Sequence, residues 1–541
     1  MKMIKGALCF TLAFTLIGSF VFGQSINDAR RAIEVEQFEK AKSILKGLTS
    51  NPTISAESYY YLGDVYLKTN ELDSAKANFD LGVQANPKFA LNYAGLGKLE
   101  YLNNQAAASK ADFDKAISLA EKKDYRPYVE VAKGLTLDGD KTNEQSVQLA
   151  IATLEQAKKA NSKSPEVYAT LGDVYLMKKD ANNAVLNYNK ALEVDKDYLR
   201  AYIGQAQIYK GAQNYQAALA PLEKAIAIDP NYAPAYGLLA ELYYSSGQSA
   251  KAIDTYKNKY LALTDVSCNS QTRYATFLFT GKDYKAANQE ISSLLKTCPV
   301  KPVMYRLLGY SAFEIGDFKQ ALDAMNTFFA KQNPQNVITS DYEYMAKILS
   351  ANKQDSAAIG YLNKAVTKDP SKTELYPLIG KMNFTNKNYA ASAQSYEKYF
   401  EVPGVKKDPV NYLYYGLALM RIGQFVKADS AFSVVNQLSP TYIPGYIYRG
   451  EVSVNLDKDN KQGLAKPYFE KAIELGEVDK EKNARYLIEA YKYMADYSYS
   501  VQNDVNATKD YFKKVLELDP NDQQANDALK AIEAGTKKKN K

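Results

Sequence analysis

The chain has 541 residues, 46% hydrophobic and 24% charged, the balance of a folded protein rather than a disordered tail. Neither His nor Trp occurs, which removes Ser-His-Asp and Cys-His nucleophiles, HExxH zinc sites and every imidazole base. The net charge of +7 falls to about +1 once Lys2, Lys5, Lys537, Lys538, Lys539 and Lys541 at the two ends are set aside, so the body lacks the basic face of a nucleic-acid binder.

The first segment, residues 1–23, reads as a signal peptide. A short positive start precedes an uncharged apolar run from Gly6 to Phe22, and the small residues Val21 and Gly23 favour cleavage before Gln24. An uncleaved anchor is the alternative, since the run sits at the lower limit of a membrane span. Cys9 lies too early in the run for lipidation.

Beyond the leader one pattern recurs. "LGDVYL" occurs at 62–67 and again at 171–176. Around the first copy stand Tyr59, Leu62, Gly63, Tyr66, Ala75, Phe79, Gly82 and Pro87. Around the second stand Tyr168, Leu171, Gly172, Tyr175, Ala184, Tyr188 and Ala191. The grid restarts at Tyr202 and Tyr236, each 34 residues on, and returns at Tyr93, Tyr305, Tyr342, Tyr376, Tyr412 and Tyr446. Weaker copies lie near Tyr128, Gln271 and Tyr491, and a half-matching first one holds Phe38, Ala41 and Leu45.

This spacing resembles the tetratricopeptide (TPR) repeat, with Tyr in the place of its first Trp. The resemblance implies an all-α, right-handed superhelical solenoid of about fourteen helix-turn-helix repeats, seven or eight to a turn. Leu62 and Tyr66, or Leu171 and Tyr175, then lie four apart on one stripe of helix A. Gly63 and Gly172 mark close approaches, and each proline of the grid ends a helix B. The implied organisation is an N-terminal array over 24–230, a central array over 231–404, a C-terminal array over 405–520, and a last helix end with a basic disordered tail over 521–541.

The repeat geometry also bears on Cys268 and Cys298. They fall at the start of helix A and the end of helix B of the eighth repeat, ends that lie side by side in an antiparallel hairpin. A disulfide is expected there, two free thiols being the alternative, and it suits a chain bound for an oxidising compartment.

No P-loop, GxSxG or complete GxGxxG occurs, and no cofactor or metal motif. Residues 137–144 and 456–463 fail the calcium-loop pattern at its glycine and bidentate glutamate. No enzyme is therefore expected, and no nucleic-acid or membrane-spanning role after signal cleavage. In TPR proteins the inner face is lined by helix-A positions 2, 5, 9, 12 and 13. Those positions yield an apolar stripe of Tyr60, Leu67, Tyr101, Leu176, Tyr244, Tyr310, Phe313, Phe384, Leu413 and Met420. The stripe suits a peptide or partner helix, or it packs under the next repeat. The expected function is a protein-binding scaffold of the periplasm or outer membrane, joining components of an envelope complex. A glycan- or nutrient-binding helical protein is the alternative.

Overall fold

The computed structural model describes residues 25–138 and 142–539, with side chains through residue 534. Residues 1–23, expected from the sequence to be a signal peptide, with Cys9 among them, and the terminal lysine side chains lie outside the described residues. Among the described residues there is no strand, and the helices pair into fourteen helix-turn-helix repeats. The chain divides into two compact units, residues 1–300 and 301–541.

The first unit holds eight repeats: α1 (Ile26–Glu34) with α2 (Phe38–Leu48), α3 (Ser55–Lys68) with α4 (Leu72–Ala85), α5 (Ala90–Leu102) with α6 (Ala106–Ser118), and α7 (Arg126–Leu135) with α8 (Glu144–Ala160). Then come α9 (Pro165–Met177) with α10 (Ala181–Val194), α11 (Leu199–Gly211) with α12 (Tyr215–Ile228), and α13 (Ala233–Ser245) with α14 (Ser249–Thr255). A π turn, Tyr256–Tyr260, and the short α15 (Leu261–Leu263) extend that seventh helix B, and the eighth repeat is α16 (Cys268–Thr280) with α17 (Tyr284–Thr297). The second unit pairs α18 (Pro302–Glu314) with α19 (Phe318–Lys331), α20 (Thr339–Ala351) with α21 (Asp355–Lys368), and α22 (Leu375–Thr385) with α23 (Tyr389–Phe400). It continues with α24 (Pro409–Arg421) and α25 (Phe425–Leu438), α26 (Ile443–Leu456) and α27 (Lys466–Gly476), α28 (Lys480–Ser500) and α29 (Val505–Leu518), and a last helix α30 (Gln523–Lys539).

The same local devices recur in many of the hairpins. Helix A ends on a left-handed residue, for example Asn70 (φ 62°), Asn104 (φ 62°) or Lys179 (φ 62°), which turns the chain and leaves the next N–H, that of Glu71, bonded to the Tyr66 carbonyl at 2.8 Å. Six of the B helices end on Asn or Asp, whose side chain accepts the N–H two residues on, as at Asp229 with Asn231 (2.8 Å). The first Tyr of the grid then fastens this loop through its hydroxyl. Tyr93, Tyr168, Tyr202, Tyr236 and Tyr446 donate to the carbonyl six residues earlier at 2.9–3.2 Å. A Trp ring offers no hydroxyl in that place.

In the first unit three pairs of neighbouring hairpins lock through an aromatic ring held between two glycines. Phe79, fully buried, lies between Gly63 and Gly95; a Cβ at either would stand 2.5 or 2.3 Å from the ring. Tyr188 is held in the same way by Gly172 and Gly204, and Phe113 by Gly97 and Gly134. The grid glycines thus make room for the aromatic of position 24, more than for a bare helix crossing. In the eighth repeat Cys268 and Cys298 are joined, with Sγ–Sγ 2.09 Å and Cα–Cα 5.7 Å.

Candidate functional site

In the first unit helices α1, α3, α5, α7 and α9 stand side by side and line a cavity of about 140 Å³. Its walls are charged. Asp64 meets Lys98 at 3.3 Å, Lys98 pairs with Glu130, and Lys133 bridges Glu130 and Glu166, each at 2.8 Å. Lys98 is only 3% exposed, so these are buried charges that survive by pairing. Burial works against ionisation of Glu130, yet Lys133 and Lys98 outweigh it and hold the carboxyl well below its ordinary range. Burial likewise opposes charge on Lys98, and Glu130 and Asp64 raise its pKa in spite of it. The pattern continues with Asp173 on Arg200 and with Lys210 on Glu241 at 2.5 Å, Glu241 also receiving Arg273.

Every one of these ladders joins helix A of one repeat to helix A of the next. Of the apolar residues on this face only Tyr60 is among those expected from the sequence; Ile33, Tyr61 and Leu91 are not, nor are its charges. Their signal was present at position 9, which runs Asp64, Lys98, Lys133, Asp173, and at position 2, which supplies Glu57, Arg126, Glu166 and Arg200. Arg126 reaches across two repeats to Glu57 at 3.0 Å.

The ten expected stripe residues fall into different settings. Tyr60 and Tyr310 are buried. Tyr60 packs 5.0 Å from the Tyr61 ring and 6.1 Å from Phe79. Tyr310 donates to Asp341 at 2.7 Å and stacks on Tyr344 at 3.7 Å, while Arg306 grips the same buried carboxylate at 2.6 Å. Leu67, Tyr101, Leu176, Phe313, Phe384, Leu413 and Met420 are half-buried, and Tyr244 is exposed. Leu67 lies beside the charge ladder, in a groove of about 310 Å³ shared with Leu102 and Leu137. Tyr244 rests 5.1 Å from Phe277.

Two aromatic patches form in the second unit. Phe313 meets the Tyr344 ring edge-on at 5.9 Å, and Phe384 meets Tyr389 at 5.4 Å and Tyr414 at 5.5 Å, with Leu413 and Met420 on the same cluster. Each patch carries a cation: Lys347 lies 5.2 Å from Tyr344 and Lys381 5.6 Å from Tyr414.

Among the described residues no group of three or more His, Cys, Asp or Glu side chains is gathered as a metal site, and no helix is long and apolar enough to cross a membrane. Tetratricopeptide repeat profiles match residues 56–89, 165–198 and 209–258. No curated protein matches the chain. Among solved structures, the C-terminal part of a TPR repeat-containing protein from Cytophaga hutchinsonii is 33% identical, covering 48% of this chain and 98% of that one, with a TM-score of 0.39. PilF of Pseudomonas aeruginosa is 17% identical, over 38% of this chain and 90% of that one (TM-score 0.33), and a tetratricopeptide repeat protein of Parabacteroides merdae is 18% identical, over 45% and 93% (TM-score 0.32). The chain belongs to the tetratricopeptide repeat family, whose fold generically mediates contacts between proteins.

Proposed function

We propose that this protein is an exported scaffold of the cell envelope, which holds a segment of a partner protein against the inner faces of its repeats. The observation that carries this reading is the state of Phe313, Phe384, Leu413 and Met420. They remain half-buried on helices whose signature residues Gly309, Ile379, Gly380 and Gly416 are buried, so apolar surface is left over after the repeats have packed. With Lys347 and Lys381 beside the aromatic patches, the surface suits a segment that combines apolar anchors with carboxylates. The charged ladders set which repeats accept such a segment, because a misplaced charge beside Glu130 or Lys133 meets like charge. The apolar leader supports export to the periplasm or the outer membrane, where the partners would be components of an envelope assembly.

The test is site-specific photo-crosslinking in intact cells from Phe384 and from Tyr244. One protein captured at both positions supports the scaffold reading. Capture of glycan rather than protein, or of nothing above background, refutes it.

A further inference from the structure

In a stacked array each repeat touches its sequence neighbours. The first unit breaks this rule, because its first repeat also meets the seventh. Arg31 on α1 pairs with Asp229 and lies 5.8 Å over the Tyr232 ring. Val35, 6% exposed, enters the core formed by Leu222, Leu238 and Leu242. The turn between α1 and α2 then docks on the end of the seventh repeat. Gln37 donates to the Leu263 carbonyl at 3.1 Å, the Glu39 N–H donates to Asp265 at 2.7 Å, and the Asp265 N–H donates to the Glu36 carbonyl at 3.2 Å.

The receiving side is shaped for this contact. Helix B of the seventh repeat is interrupted by the π turn Tyr256–Tyr260, and Tyr260 at its end donates its hydroxyl to Glu36. Single π turns recur at functional positions, where the extra residue re-aims the chain beyond it. The joint is largely polar, and the α1–α2 hairpin is the first described repeat, bound to the array on its other side through α3. Such an element opens at lower cost than an internal repeat.

Closure has a consequence for the inner face. The cavity flanked by Arg30 and Glu34 of the hairpin and by Arg126 and Glu166 opposite measures about 140 Å³. A helix is about 10 Å across, and Arg30 of the hairpin lies over the Tyr61 ring of the cavity wall at 5.9 Å, so the closed hairpin covers part of this face. We propose that the α1–α2 hairpin is a latch: it closes repeats one to seven into a ring, and it releases as a unit, the other repeats staying folded, to open their inner face to a partner segment. The role of a partner rests on the scaffold reading; the latch itself does not.

The experiment needs no partner. In the full chain carrying Cys9→Ser, hydrogen exchange is followed helix by helix for the parent, Arg31→Glu, and Arg31→Glu with Asp229→Arg. Release predicts exchange over residues 26–48 roughly tenfold faster in Arg31→Glu, near-parental exchange in α5–α10, and recovery in the charge-swapped pair. A Tyr61→Cys probe, half-buried on the cavity wall under Arg30 of α1, is then labelled with a bulky polyethylene-glycol maleimide. Labelling rises in Arg31→Glu and is suppressed when Glu39→Cys and Asp265→Cys are oxidised into a lock. The proposal is overturned if residues 26–48 exchange in step with α5–α10, or if labelling ignores both the charge reversal and the lock. Either failure leaves the aromatic patches of the second unit untouched, and an absent partner leaves the latch untouched.

Discussion

Gly95→Ala and Gly360→Ala make the same chemical change in two helices, and the structure predicts opposite signs. At Gly360 a Cβ meets nothing within 4 Å, so α21 gains the helix preference of Ala over Gly, about 0.5–1 kcal/mol. At Gly95 the Cβ would stand 2.3 Å from the Phe79 ring, against about 3.5–4 Å for an unstrained carbon contact. The ring cannot retreat, because Gly63 already holds its other side at a spacing that leaves a Cβ there 2.5 Å away. Overpacking of this kind costs about 1–3 kcal/mol, and deducting the gain in helix preference leaves a net loss of about 0.5–2 kcal/mol. Urea unfolding combined with hydrogen exchange over α3–α6 measures it, since repeat arrays do not unfold as one two-state body. In a Phe79→Leu background the loss should largely vanish, a coupling of about 0.5–2 kcal/mol. The reasoning is refuted if Gly95→Ala stabilises as Gly360→Ala does, or if its cost persists without the ring.

The charges and the disulfide yield three more predictions. Lys98→Ala leaves Asp64 and Glu130 buried without their shared cation and should cost about 3–5 kcal/mol, read by denaturation and by faster exchange across α3–α7. Glu489 is pushed up to about 7, chiefly by burial and then by its bond to and repulsion from Glu451. The folded state therefore holds a proton that the unfolded chain has lost, so the second unit should lose stability as pH rises from about 4.5 to about 7, and Glu489→Gln should flatten that slope in melts at several pH values. Replacing Cys268 and Cys298 by Ser opens a loop spanning 30 residues and should cost the eighth repeat about 3–4 kcal/mol. Unchanged exchange in α16 and α17 would show that the bond constrains nothing.

The fold was legible because each repeat writes its packing in the same register. Leu62, Gly63, Tyr66, Ala75 and Phe79 recur at fixed spacing, and their physical roles are local to one hairpin and the next. The joined cysteines were legible for the same reason, since both lie in a single hairpin. The charge ladder was harder to read. Asp64 and Lys98 look like ordinary surface residues along the chain, and only a reading down position 9 puts them in contact. The repeat register placed the stripe on helix A, but only tertiary packing decides that Tyr60 and Tyr310 are enclosed while Phe384 and Tyr244 keep open surface. The joint between repeats one and seven left no signature at all. It joins the Glu39 N–H to the Asp265 carboxylate, 226 positions apart in the chain, beside a π turn that no residue pattern announces.

The central claim is that the leftover aromatic surface of the repeats docks a protein. A photoreactive residue at Phe384, compared in intact cells with one at Val426, tests it most directly, because Val426 is 69% exposed on the helix B of the following repeat and lies outside the aromatic patch. The account predicts a single protein crosslinked from Phe384 and absent from Val426, with capture lost when Lys381→Glu reverses the neighbouring charge. Equal capture at the two positions, or none at either, would contradict it and return the patch to the packing of the solenoid.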